Sequence, residues 1–165
     1  MKVDEQLFTR LIDENKDKLF RMCCYYVADE ESRKDLYQEA LINIWKGFKT
    51  YRGEASYLTW MLRITVNAAL KFISKERSYQ KKGKQFANEQ RLEVEDHDLQ
   101  MEYVHLLQKA INQLPLVDMI IISLFLEETS SKEIAKITGL TDSNVRVRVH
   151  RAKAQLKKLI EGGEL

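Results

Sequence analysis

The chain is 165 residues long, 44% hydrophobic and 32% charged, a composition of soluble globular proteins that allows one compact domain or two small ones. Its net charge is only +2, yet basic runs at residues 71–84 and 146–158 are segregated from an acidic run at 89–98, and phosphates respond to such local patches rather than to the total. No stretch of about 18 uncharged apolar residues exists, and the opening MKVDEQLFTR lacks the apolar centre of a secretory signal, so neither a membrane span nor export is expected and the location is expected to be cytoplasmic.

No segment alternates with period two, so the expected fold class is all-α. A first helix is predicted over residues 4–27, with Leu7, Leu11, Leu19, Met22, Cys23 and Tyr26 as its apolar stripe. Cys23 and Cys24 are adjacent, which disfavours a disulfide, and the three histidines lie far from them in sequence, so no metal site and no cofactor is expected. Ser32 and Asp35 form a capping-box-like pair before a second helix ending near Phe48. That helix is apolar on two sides: Leu36, Ala40 and Ile44 make one stripe, Tyr37, Leu41, Trp45 and Phe48 another. Either it carries a partner surface besides its core face, or its neighbours cover it on both sides.

Residues 50–56, TYRGEAS, form a loop around Gly53, and a third helix is predicted from residue 57 to about 77. Leu58, Leu62, Thr65, Ala69 and Phe72 are spaced for a core. Another side carries Trp60, Arg63, Asn67 and Lys71, groups suited to single-stranded nucleic acid, where rings stack on bases and cations follow phosphates. Trp60 alone reads first as a core residue; the polar groups have no core explanation.

Residues 78–98 lose all periodicity and carry charge blocks of both signs, the pattern of a flexible linker. Helical spacing resumes with Leu106, Leu107, Ala110, Ile111 and Leu114. Pro115 interrupts it and suits the first turn of a helix over 116–126. The chain then reads SKEIAKITGLTDSNVRVRVHRAK, a helix-turn-helix. Gly139 follows the small Ala135 by four residues and supplies the turn, Val145 anchors the second helix, and Asp142 is its expected N-cap. From Asn144 to Lys158 that helix carries many cations and no carboxylate, a profile suited to the major groove.

Together these residues resemble the extracytoplasmic-function (group 4) sigma factors of the sigma-70 family, the small two-domain promoter-specificity subunits of bacterial RNA polymerase. The stretch from Asp35 to Ile73 is similar to the family's region two, through Asp35, Gln38, Glu39, Trp45, Gly53, Trp60, Arg63 and Asn67. Leu114, Pro115, Glu133, Ile134, Ala135, Gly139, Val145, His150, Arg151 and Ala152 are landmarks of region four. A lone helix-turn-helix is shared by many regulators; both blocks in this order are far more specific.

The resemblance implies two small helical domains: a region-two bundle at 1–78, a linker at 79–100, and a region-four helix-turn-helix domain at 101–165. It implies that Asp35, Gln38, Glu39, Leu41, Asn43 and Trp45 dock on core polymerase. Tyr51, Arg52, Gly53, Glu54, Ala55 and Ser56 fall on the loop that captures a flipped −10 base, with Arg63, Asn67 and Lys71 beside it. Ser143, Asn144, Arg146, Val147, Arg148, His150, Arg151 and Lys153 fall where the recognition helix meets the −35 element. Val147 stands where the family often has Ser or Thr, Thr138 where an apolar residue is common, and Asp118 where a basic one is frequent. The implied partners are core polymerase, promoter DNA and an anti-sigma factor.

No Gly-rich phosphate loop, placed nucleophile or metal-ligand spacing competes, so an enzyme is the least favoured class. Two other readings stand beside the initiation subunit. A decoy that sequesters an anti-sigma factor would have no use for Arg63, Lys71, Arg146 and Arg151. A stand-alone helix-turn-helix regulator would leave the first domain without a purpose, and no dimerisation helix is expected after Ile160.

Overall fold

The structure is a computed structural model that describes residues 2–82 and 99–163. Over those residues it consists of seven α-helices: α1 (Lys2–Tyr26), α2 (Glu30–Phe48), α3 (Tyr57–Lys81), α4 (Leu99–Asn112), α5 (Leu116–Leu126), α6 (Ser131–Thr138) and α7 (Asp142–Glu161). The all-α expectation holds. Most of the expected linker lies outside the described residues; at its edges α3 runs on to Lys81 and α4 already begins at Leu99.

Helices α1, α2 and α3 pack on one another. Leu19, Met22 and Cys23 of α1 meet Leu36, Ala40 and Ile44 of α2 and Met61, Leu62, Val66 and Ala69 of α3, all of them buried. These recur at three- and four-residue steps, so each helix turns one stripe inward; each fully buried Leu, Ile or Met contributes about 1.5–3 kcal/mol. The thiol of Cys23 lies in this core, where burial pushes its pKa up to about 12, and neither cysteine is bridged. Helices α4 to α7 form a second packed group, in which α7 touches α4, α5 and α6. Its core holds Ala110, Ile111, Ile121, Ile122, Leu124, Ile134, Val145, Val149, Ala152 and Leu156.

Two expected helix starts need correction. The α2 helix begins earlier than the Ser32–Asp35 pair suggested: Asp29 is its N-cap and accepts from the Ser32 amide at 2.8 Å. The α5 helix starts at Leu116 as expected, with Pro115 at its N-cap. Thr141, not Asp142, caps α7, accepting from the Asn144 amide at 3.2 Å. In α2 and α7 a residue three positions or one position upstream takes an orphan amide first. Ser130 and Glu133 close a reciprocal capping box on α6, and Gly139 ends it at φ 75°, the left-handed geometry expected of it.

The two groups also touch each other, α1 against α4 and α5, and α3 against α6. Tyr26 and Ser123 share a buried hydrogen bond of 2.9 Å between hydroxyls. The buried Arg33 donates to Val27 O at 2.8 Å and to Gln108 Oε1 at 3.1 Å. Arg21 and Tyr25 donate to the Glu127 carboxylate, and Thr59 donates to Glu133 Oε1 at 2.8 Å.

Candidate nucleic-acid interface

Three exposed surfaces gather the residues singled out in the sequence. The first is the outer face of α7. Val145, Val149, Ala152 and Leu156 turn inward. At about 100° per residue, Val147 lies roughly 200° from both Val145 and Val149, at the middle of the opposite face. There it is 47% exposed, flanked by the exposed Ser143, Asn144, His150 and Arg151.

The α7 cations are not equivalent. Arg148 turns back into its own group, donating from Nη1 to Asp118 Oδ1 at 2.7 Å and from Nε to Asn144 Oδ1 at 3.0 Å. Lys153 places Nζ 4.3 Å from the centre of the Phe125 ring, a cation–π contact. Arg146 pairs with Asp142 at 3.0 Å one turn back, but its side chain remains 67% exposed. Asp118, which departs from the family pattern, thus fastens α7 to α5.

The second surface joins the 51–56 loop to α3. Gly53 has φ 72°, so the loop turns in a conformation that other residues rarely adopt. Tyr51 stacks on Tyr57 with centroids 4.3 Å apart, and its hydroxyl donates to Ala55 O. Ser56 is the N-cap of α3 and accepts from the Thr59 amide at 3.1 Å. Those two residues therefore shape the loop, while Arg52, Gly53 and Glu54 are exposed on it. Arg63, Asn67 and Lys71 are exposed at successive four-residue steps, one row along α3. Trp60 is half-buried against Tyr51 and Phe48, at 5.3 and 6.5 Å between centroids. A cleft of about 290 Å³ opens between Tyr51, Arg52, Trp60 and Arg63 on one side and Lys136 and Ile137 of α6 on the other.

The third surface is the outer face of α2. Asp35, Gln38, Glu39 and Trp45 are exposed, Leu41 and Asn43 half-buried. Ile42 stands among them 52% exposed, more so than Trp45 at 41%, whose ring meets Phe8 edge-on at 4.7 Å. Sequence reasoning missed Ile42, although its four-residue step from Gln38 signalled the same face. Of the two readings of this wide helix, the exposure of Ile42 and Trp45 favours a partner surface over complete coverage. Among the described residues, no cluster of three His, Cys, Asp or Glu side chains could hold a metal ion, and no helix is long and apolar enough to cross a membrane.

Comparison with known proteins agrees with this geometry. Residues 11–79 match the family model for sigma-70 region 2, and residues 105–156 match that for sigma-70 region 4. The chain belongs to the sigma-70 family, in its extracytoplasmic-function group. It is 27% identical to the ECF RNA polymerase sigma factor SigX of Bacillus subtilis, across 95% of this chain and 85% of that protein. SigW of the same organism is 24% identical across 95% and 90%. Among solved structures, CnrH in complex with the cytosolic domain of CnrY has a TM-score of 0.72 at 18% identity, covering 96% of this chain and 90% of that one. RpoE of Bartonella quintana, in complex with the anti-sigma factor NepR, also has a TM-score of 0.72, at 20% identity over 93% and 96%. At that identity the two structures speak for the fold.

Proposed function

We propose that this sigma factor binds bacterial core RNA polymerase as its promoter-specificity subunit, reads −35 and −10 elements and assists melting between them. The observation that carries the reading is the pairing, in one chain, of two exposed nucleic-acid faces: the outer side of α7, and the 51–56 loop with the Arg63–Asn67–Lys71 row of α3. A single regulator module needs only the first, and a decoy neither.

In this reading α7 enters the major groove of the −35 element. Arg146, His150 and Arg151 supply hydrogen bonds and phosphate contacts, with Ser143 and Asn144 at the helix start. Val147, at the middle of that face, packs on a thymine methyl. Arg148 and Lys153 contribute mainly by holding the helix on α5. The 51–56 loop takes an extruded −10 base, and Asn67, whose amide donates and accepts at once, reads an edge beside it. Lys71 and Arg63 follow the strand.

Asp35, Gln38, Glu39, Leu41, Asn43 and Trp45, with Ile42 added, form the polymerase-docking face of α2. The chain performs no chemistry of its own and works in the cytoplasm with the polymerase. We place the division between its two DNA-reading units at the 79–100 segment, with units at 1–78 and 101–165. The two solved neighbours are complexes with CnrY and with the anti-sigma factor NepR, which supports an anti-sigma factor as a further partner here. Run-off transcription with purified core polymerase and genomic fragments tests the whole reading. Discrete start sites are expected; transcription no better than core alone, together with a negative core pull-down, would leave the decoy or the lone regulator.

A further inference from the structure

Asn144 lies in the first turn of α7, exposed on its outer face, the part of a recognition helix that contacts base edges. An unrestrained Asn offers a donor and an acceptor together, the pair that matches the N6 and N7 edge of adenine. Here the acceptor is already engaged. Arg148, one turn on, donates from Nε to Asn144 Oδ1 at 3.0 Å. A guanidinium can only donate, so the amide must turn its oxygen to Arg148. Its nitrogen is then the atom left outward, and among the described residues nothing takes the Nδ2 hydrogens.

The guanidinium is itself fixed from another helix. Arg148 Nη1 donates to Asp118 Oδ1 at 2.7 Å, with the two side chains 34% and 21% exposed. The planar fork ties Nη1 and Nε into one rigid unit, so anchoring the first sets the second. Asp118 on α5 therefore orients Asn144 on α7 through Arg148, by a chain of two hydrogen bonds. The neighbouring pair of the same spacing has no such consequence. Arg146 meets Asp142 at 3.0 Å, and a carboxylate has no donor to present.

We propose that Asp118 and Arg148 are positioning residues for base specificity: they hold Asn144 as a donor-only reader, which selects guanine over adenine at one position of the −35 element. The proposal rests on the reading of α7 as the −35 helix. Guanine presents two major-groove acceptors, O6 and N7, to the outward amide nitrogen. Adenine presents N7 beside an N6 donor, and the oxygen that would accept from N6 is turned toward Arg148. Cytosine presents only a donor. Freed from Arg148, the same amide can pair with adenine through both of its atoms.

The test is anisotropy of holoenzyme on duplexes carrying the −35 element found upstream of the protein's own start sites, with each base pair replaced in turn. Asn144→Ala should flatten discrimination at one position and so locate it. There wild type should favour guanine, and Arg148→Ala and Asp118→Ala should each lower the guanine-to-adenine affinity ratio about fivefold or more. Asp118→Asn keeps an oxygen for Arg148 Nη1 and should retain the wild-type ratio. In an Asn144→Ala background, Arg148→Ala should change the ratio no further. A mere fastening of α7 would instead lower affinity for every duplex by one factor and leave the ratios alone. A ratio within about twofold of wild type in Arg148→Ala, or in Asp118→Ala if that chain failed to fold, would overturn the proposal. So would a wild-type preference for adenine at that position, or discrimination that Asn144→Ala leaves intact everywhere. Equal wild-type affinity for all the duplexes would instead bring down the −35 reading itself.

Discussion

Arg148 should behave as a fastening of the recognition helix and Arg151, three residues on, as a DNA contact; salt dependence separates the two. Each phosphate neutralised by a cation adds about 0.9 to the slope of log affinity against log salt. Arg151 is exposed on the outer face of α7, so Arg151→Ala should either flatten that slope by close to one unit or, if its contact is to guanine, cost about 1–3 kcal/mol at one base position. The Arg148 guanidinium is engaged at 2.7 Å by Asp118 and at 3.0 Å by Asn144, with the Arg148 and Asp118 side chains only 34% and 21% exposed. Arg148→Ala should therefore leave the slope almost unchanged. It should cost about 1–2 kcal/mol of stability instead, the range for a charged hydrogen-bonded pair discounted for partial exposure. The assays are anisotropy titrations of holoenzyme on a −35 duplex between about 50 and 200 mM salt, and urea melts of the free chain. A slope change near one unit for Arg148→Ala with no loss in the melts would refute the fastening.

Replacing the thymines of the −35 element by deoxyuracil, one at a time, should weaken binding about fourfold at one position, since a methyl group packed on Val147 is worth about 0.8 kcal/mol; Val147→Ala should abolish that preference, and equal affinity for every uracil duplex would count against it. Ile42→Glu, at an exposed position, should lower core polymerase affinity about tenfold or more while leaving helicity intact, as should charge reversal at Glu39 to a smaller degree; a core pull-down indistinguishable from wild type would remove α2 as the docking face. Asn67→Ala should impair transcription from a fully duplex promoter and recover in part on a premelted bubble, because extruding a base costs a few kcal/mol that the bubble has already met; normal duplex transcription would make Asn67 an ordinary solvated residue.

Much of the helical order was legible because it depends on near-neighbour chemistry. The stripe Leu36, Ala40, Ile44 and the left-handed turn at Gly139 follow from spacing and from the absence of a side chain. Helix starts were less legible: Asp29, Ser32 and Asp35 can each cap α2, and only the folded backbone decides which is reached first. Site chemistry divided in the same way. That Arg63, Asn67 and Lys71 share an exposed row could be read from a four-residue repeat. That Arg148 bends back could not, because its partner Asp118 lies thirty residues away on another helix. The sequence flagged Asp118 as a departure without revealing its use. Glu127 was missed altogether, since one carboxylate at the end of an apolar helix gives no sign of partners at residues 21 and 25.

The chemistry of the seam between the two helical groups bears on whether their closure can be reversible. A contact made only of apolar side chains would resist opening in proportion to the area exposed. Here much of the specific contact is polar. Arg33 donates to Gln108 Oε1 across the seam, and the Gln108 Nε2 donor is buried with no hydrogen-bond partner among the described residues. The Thr59–Glu133 contact adds a second adjustable element. Hydrogen bonds from Thr59 and then Ser130 hold the Glu133 carboxyl below its ordinary range, so its contribution is complete above that range and fades only as pH falls through the lowered value. Near neutrality that bond is therefore at full strength, and it is still only one hydrogen bond to a partly exposed group. Closure thus rests on a few directional contacts. Such contacts let the seam part and re-form without unfolding either helical group.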